Sequence, residues 1–200
     1  MKHATAILLI LLLSGSTSGQ QILSGNYSFG LKLSYDSATK KVTGYFEDYT
    51  GEDEKTGNPR FSCIFYIEGI ATGKKFAIKT YVPTEKNDDL ISGTMEIVTN
   101  RQVKIKLPQE HGGCWNVQHF ADEPVDFTLE TRQKWQQVRY ADVPKANFYS
   151  DSSEDKRMKS YIVKGDFVCV AKIEHGWAYC TYFGKKTTTG WMKVSELNIP

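Results

Sequence analysis

From Tyr27 to Leu129 the chain is a succession of short runs in which apolar and polar residues alternate, and no window of a dozen residues keeps a helical period. That patterning constrains the fold more than anything else in the sequence. A period of two puts successive side chains on opposite faces of a strand, one for a core and one for solvent. Tyr27–Tyr35, Val42–Tyr49, Phe61–Ala71, Phe76–Tyr81, Ile91–Val98, Val103–Leu107 and Val125–Leu129 read as strands, being rich in β-branched and aromatic residues. Between them lie turn formers such as Asp36-Ser37-Ala38-Thr39, Thr72-Gly73 and Asn100. Strands at this spacing predict an all-β unit over residues 20–130, either a β-sandwich or an up-and-down barrel.

The first nineteen residues are of another kind. A basic start at Lys2, an unbroken apolar run from Ala6 to Leu13 and small residues from Ser14 to Gly19 follow the plan of a secretory signal peptide. The apolar run is far shorter than the ~20 residues a membrane span needs. The expected product is exported, periplasmic or secreted, with no membrane span. Loss of residues 1–19 removes one lysine and no acid, so the net charge falls from +2 to +1. Near-neutrality excludes a nucleic-acid binder, whose affinity rests on a clustered basic face.

Residues 131–136, within the polar stretch Glu130–Tyr140, read as a linker into a second unit spanning 137–200. There the order Ala146-Asn147-Phe148-Tyr149-Ser150, then Ser160 through Lys164-Gly165-Asp166, Val168 and Val170, Gly176-Trp177, and Gly190-Trp191-Met192 resembles the bacterial SH3-like (SH3b) domain. The resemblance covers the last third of the chain. It implies a small five-stranded barrel of a kind found beside cell-wall enzymes and in envelope proteins, and a bacterial source. The glycines agree independently with this, since each sits where a chain of short strands must reverse. Residues 20–130 carry no family resemblance.

Four cysteines in an exported chain imply disulfides first. Pairing within units joins Cys63 to Cys114 and Cys169 to Cys180. The second bond depends on hairpin register. A two-residue turn at Glu174-His175 sets Cys169 opposite Cys180, whereas a three-residue turn ending at Gly176 sets Val170 opposite Cys180 and lines Val168, Val170, Ala178 and Cys180 along one face.

The segment His111-Gly-Gly-Cys114-Trp115-Asn116-Val117-Gln118-His119 invites two other readings. Gly-Gly-Cys-Trp is faintly similar to the nucleophile run of papain-type proteases. Those enzymes, however, set the cysteine at a helix start, and here a strand follows. Zinc lacks a fourth ligand beyond His111, Cys114 and His119. The acidic run Glu47–Glu54 lacks the alternating oxygen ligands of a calcium loop, and nothing sets Glu47 beside Glu68 or Glu96 as an acid and base pair. The expectation is therefore a non-enzyme with no cofactor and no metal. Its function is expected from surfaces: an aromatic groove of the second unit, built from Tyr149, Tyr161, Tyr179, Tyr182 and Trp191, taking a peptide, a peptidoglycan fragment or an envelope protein. The alternative is an inhibitor or immunity protein that blocks a cell-wall hydrolase or other envelope-acting enzyme through a protruding loop, Thr50–Arg60 or Gln109–Phe120. A cysteine hydrolase using Cys114 is the third.

Overall fold

Eight strands follow one another around a closed antiparallel barrel: β1 (Gly25–Tyr27), β2 (Lys32–Asp36), β3 (Lys41–Glu52), β4 (Pro59–Ile70), β5 (Lys75–Tyr81), β6 (Ile91–Thr99), β7 (Gln102–Lys106) and β8 (Val125–Arg132). The computed structural model describes residues 22–86 and 88–200, so the leader expected over residues 1–19 lies outside the described residues. Each strand pairs with its sequence neighbour, and β8 closes the ring on β1. The alternating residues point as the period of two requires. Leu33, Phe46, Phe65, Ile67, Ile78, Met95, Val103, Ile105 and Phe127 share one interior cluster. A closed barrel leaves no sheet edge open for pairing, and it replaces the alternative of a sandwich. The run Tyr27–Tyr35 is two strands, because Phe29 and Gly30 take left-handed backbone conformations (φ 56° and 74°) and turn the chain between β1 and β2.

The second unit is a six-stranded antiparallel sheet. Its strands are β9 (Gln137–Tyr140), β10 (Lys145–Tyr149), β11 (Arg157–Val163), β12 (Phe167–Glu174), β13 (Trp177–Phe183) and β14 (Thr187–Lys193), in the order β11-β10-β14-β13-β12-β9. Ala146, Phe148, Ile162, Val168, Val170, Ala178, Cys180 and Met192, drawn from five strands, form one core. The two outer strands are linked through the turn after β11: Gly165 N–H donates to Ala141 O and Ala141 N–H to Asp166 O, both at 2.9 Å.

The cysteine pair of this unit does not bond, which corrects the Cys169–Cys180 disulfide. The hairpin turns on His175-Gly176, both with positive φ (49° and 83°), the signature of a two-residue type I′ turn. Glu174 therefore faces Trp177. A bulge at Ala171 then shifts the register so that Val170 faces Cys180 and Cys169 faces Thr181. The two thiols point to opposite faces of the sheet, Cys180 into the core and Cys169 toward the barrel. Burial pushes both thiols well above the usual cysteine range.

The face carrying Cys169 meets the outside of the barrel. Tyr45, Tyr66 and Tyr81 of the barrel, Trp135 of the connection, and Val138, Tyr140 and Phe167 of the second unit belong to a third buried cluster. Phe167 stacks on Tyr45 at 4.4 Å, and Tyr140 sets its edge on Tyr66 at 5.2 Å. Tyr66 O–H donates to Val138 O at 2.7 Å, and Val138 N–H donates to Thr43 Oγ1 at 2.7 Å. Buried aromatics of this size stabilise by ~1.5–3 kcal/mol each, so the units are joined by a core of their own. The connection read as a linker is pinned at both units. β8 runs to Arg132, Trp135 is buried with its edge on Phe183, and Gln136 N–H donates to Val170 O.

Candidate functional site

In a barrel whose strands follow in order, the connections β1–β2, β3–β4, β5–β6 and β7–β8 all emerge at one end. Here that end is plugged. The β7–β8 connection carries Phe120 inward, edge-on to Phe46 at 5.0 Å and to Phe65 at 5.1 Å. His111 stacks on Phe65 at 4.7 Å. The imidazole is held at both nitrogens, with Nδ1 2.6 Å from Asp89 Oδ2 and Nε2 2.8 Å from Thr80 Oγ1. Burial holds its pKa below the ordinary histidine value, outweighing the pull of Asp89 in the other direction. A neutral ring that donates from Nδ1 to Asp89 leaves Nε2 to accept the Thr80 hydroxyl, for whose single proton Ile91 O at 3.2 Å is the competing acceptor. Asp89, His111 and Thr80 thus line up in the order of a hydrolytic triad, but Thr80 and His111 are fully buried. The arrangement locks the plug onto β5 and the β5–β6 connection.

Cys63 and Cys114 form a disulfide across 51 residues, tying β4 to the plug. Gly113 makes the approach possible. Its φ is +83°, and a Cβ there would lie 2.2 Å from Ser62 O, so the loop can lie against β4 only with glycine at this position. Beyond Cys114 the chain makes one 3-10 turn, Cys114–Asn116, and Thr50 Oγ1 of β3 donates to Asn116 O at 2.6 Å. The segment Gln109–Phe120 is therefore tied to the β3–β4 hairpin at two points, Cys63 and Thr50. The thiolate that a hydrolase would take from Cys114 is consumed by the bond. The three residues considered for zinc hold separate partners: Cys114 on Cys63, His111 on Asp89, and His119 on Asp122 at 3.0 Å.

Around this plug the barrel leaves large apolar side chains in solvent. Trp115 is 59% exposed, Phe61 41%, and Phe29, Tyr49 and Leu90 are exposed as well. Phe29, Phe61, Leu90 and Trp115 sit on or beside the four connections of the plugged end, whereas Tyr49, paired with Ser62 on the wall face opposite that of Phe46 and Cys63, points to the cleft between the units. Single exposed apolar residues are ordinary, and these four share one end of the barrel. Trp115 sits directly after a disulfide cysteine and Phe61 two residues before the other, so both are carried on backbone that is already fixed.

The groove expected on the second unit is partly assembled. Strand pairing sets Tyr149 opposite Trp191, Trp191 opposite Tyr179 and Tyr179 opposite Lys172, a row across one face. That face is opposite the one carrying Phe148, Ala178 and Met192 into the core. Tyr179 meets Trp191 edge-on at 5.3 Å, and Lys172 Nζ lies 4.7 Å from the Trp191 ring. Trp177, which the sequence had not marked for the groove, joins the row edge-on to Tyr149 at 4.9 Å. The row largely covers itself, with Tyr149 only 5% and Trp191 only 9% exposed. Tyr161 is 51% exposed on β11 under the Lys145 ammonium, and Tyr182 lies apart, in the cleft between the two units.

No protein-family model, no curated protein and no solved structure matches this chain. Among the described residues no helix is long and apolar enough to cross a membrane.

Proposed function

We propose that this chain is an exported, non-enzymatic binding protein that engages a protein partner through the plugged end of its barrel, in the manner of an inhibitor or immunity protein. The observation that carries this reading is the Cys63–Cys114 staple, which fixes Trp115 and Phe61 in solvent on one pre-ordered surface. Ordering a loop on binding costs free energy, and a loop already ordered avoids that cost. Exposed tryptophan on rigid backbone is the kind of residue that dominates protein interfaces. The disulfide also suits an oxidising compartment, in keeping with the export signal expected over residues 1–19. A cell-wall hydrolase or another envelope-acting enzyme is the proposed class of partner, a reading supported by the resemblance of the second unit to SH3b domains.

A second reading is favoured by the contiguous aromatic row Tyr149, Trp191, Tyr179 and Trp177, which offers a peptide or peptidoglycan fragment a platform on the second sheet. Photo-crosslinking separates the two. A photoreactive residue replacing Trp115 should give a discrete protein adduct in envelope extract, and the same residue replacing Tyr179 should not. An adduct formed only from position 179 would overturn the first reading in favour of the second.

A further inference from the structure

Between the barrel and the second sheet lies a cleft of about 280 Å³ lined by Tyr45, Glu47, Tyr49, Ile64, Gly165, Asp166, Phe167, Tyr182, Phe183 and Gly184. Its two acids come from different units: Glu47 from β3, and Asp166 from the Gly165-Asp166 turn before β12. No lysine, arginine or histidine is among its lining residues, and the basic side chain at its wall is Lys32, held against the Tyr45 and Phe183 rings. The walls are aromatic, with the Tyr45–Phe167 stack on one side and Tyr49, Tyr182 and Phe183 around it. We infer that this cleft is a binding site for an organic cation, an alkylammonium or guanidinium group, held by Glu47 and Asp166 and faced by the tyrosine rings.

Three observations converge on that chemistry. Two carboxylates lining a partly enclosed space create a negative potential that a cation relieves. Aromatic faces add attraction for the same charge, and they do so most where water is excluded. The protein itself supplies an example at the same wall, because Lys32 Nζ lies 4.9 Å from the Tyr45 ring centre and 5.3 Å from that of Phe183. The carboxylates are also already oriented. Glu47 Oε1 accepts the Tyr49 hydroxyl at 2.5 Å, and Asp166 Oδ2 accepts Val163 N–H at 2.9 Å. Burial first, and then the charges of Glu47 and Asp166, raise the pKa of both Tyr49 and Tyr182, so both hydroxyls lie in the field of both acids and stay neutral. The site goes beyond the protein-docking surface and does not depend on it.

The test uses the full mature chain and three probes followed by NMR: butylammonium, Nα-acetyl-lysine methylamide, and the same lysine derivative with its amine acetylated. The two cations should give saturable shifts at Tyr49, Gly165 and Phe183, and the neutral derivative none. The double variant Glu47→Gln/Asp166→Asn, which keeps both hydrogen-bond acceptors and should keep the melting temperature, should weaken binding by about tenfold or more. Equal affinity for the two cations would point to free amines as the natural ligand, and tighter binding of the lysine derivative to a chain-borne basic side chain. Either supports the site. Equal binding of the neutral derivative, undiminished binding to the double variant, or no saturable shift with either cation would overturn it.

Discussion

Reducing the Cys63–Cys114 bond isolates the staple without changing a side chain. The two cysteines are 51 residues apart, and the loop-entropy relation for a ring of that size gives about 4 kcal/mol at 25 °C. For a chain of this length that is roughly 8–16 °C in melting temperature. The plug keeps other anchors after reduction, namely Phe120 among Phe46, Phe65 and Phe127, and His111 between Asp89 and Thr80. The reduced barrel should therefore still fold, with the loss concentrated around Gly112–Gln118. Calorimetry of the oxidised and reduced forms gives the first number, and hydrogen exchange at Cys114, Asn116, Val117 and Gln118 gives the second. Melting temperatures within about 2 °C of each other, or unchanged exchange in the plug, would refute the claim that the bond orders this surface. Peptide mapping that joined Cys169 to Cys180 would refute the register described for β12 and β13.

Four further outcomes are expected. Because burial depresses the folded pKa of His111, the unfolded chain takes up a proton first as pH falls through about 6.5, and stability drops below that pH. Urea midpoints at pH 7.5 and 5.5 should differ more for the native chain than for His111→Gln. Phe167→Ala removes the stack on Tyr45 and should cost about 3–5 kcal/mol in a single cooperative transition. Two separate transitions would show that the units do not share a core. Fragment 137–200, which exposes Val138, Tyr140, Phe167 and Cys169, should bind a hydrophobic dye and show poor resonance dispersion. Finally, Cys169 and Cys180 should resist alkylation in the folded chain and react only on unfolding, since both thiols are buried and held protonated. Rapid labelling of either would contradict its placement.

The barrel was legible because its strands obey a period of two: six of the seven expected runs became β3 to β8 with ends shifted by a few residues. The break at Phe29-Gly30 was not, because Ser28-Phe29-Gly30-Leu31 keeps the alternation while its backbone turns. The interface between the units left a trace that went unused. Val42–Phe46 and Phe65–Ile67 are buried without interruption, on both faces, as happens when the outside of a strand is covered too. Even so, nothing in either run names Tyr140 or Phe167 as the cover. The site was half legible. Both protruding loops and their cysteines could be picked out, but their meeting at one end follows from barrel closure. Glu47 and Asp166 come together only once the two units dock. The buried state of Tyr149 and Trp191 likewise depends on Trp177 and Lys172 covering them across strands, which residue spacing does not encode.

The most direct measurement is the affinity of the crosslinked partner, once isolated, for the native chain and for Trp115→Ala, Phe61→Ala and Tyr179→Ala. Loss of a central tryptophan typically costs about 2 kcal/mol or more, close to 30-fold in affinity. Trp115→Ala should show at least that loss with an unchanged melting curve, Phe61→Ala a smaller one, and Tyr179→Ala none. Full affinity for Trp115→Ala, together with a loss for Tyr179→Ala, would contradict the plugged end as the binding surface and move it to the second sheet.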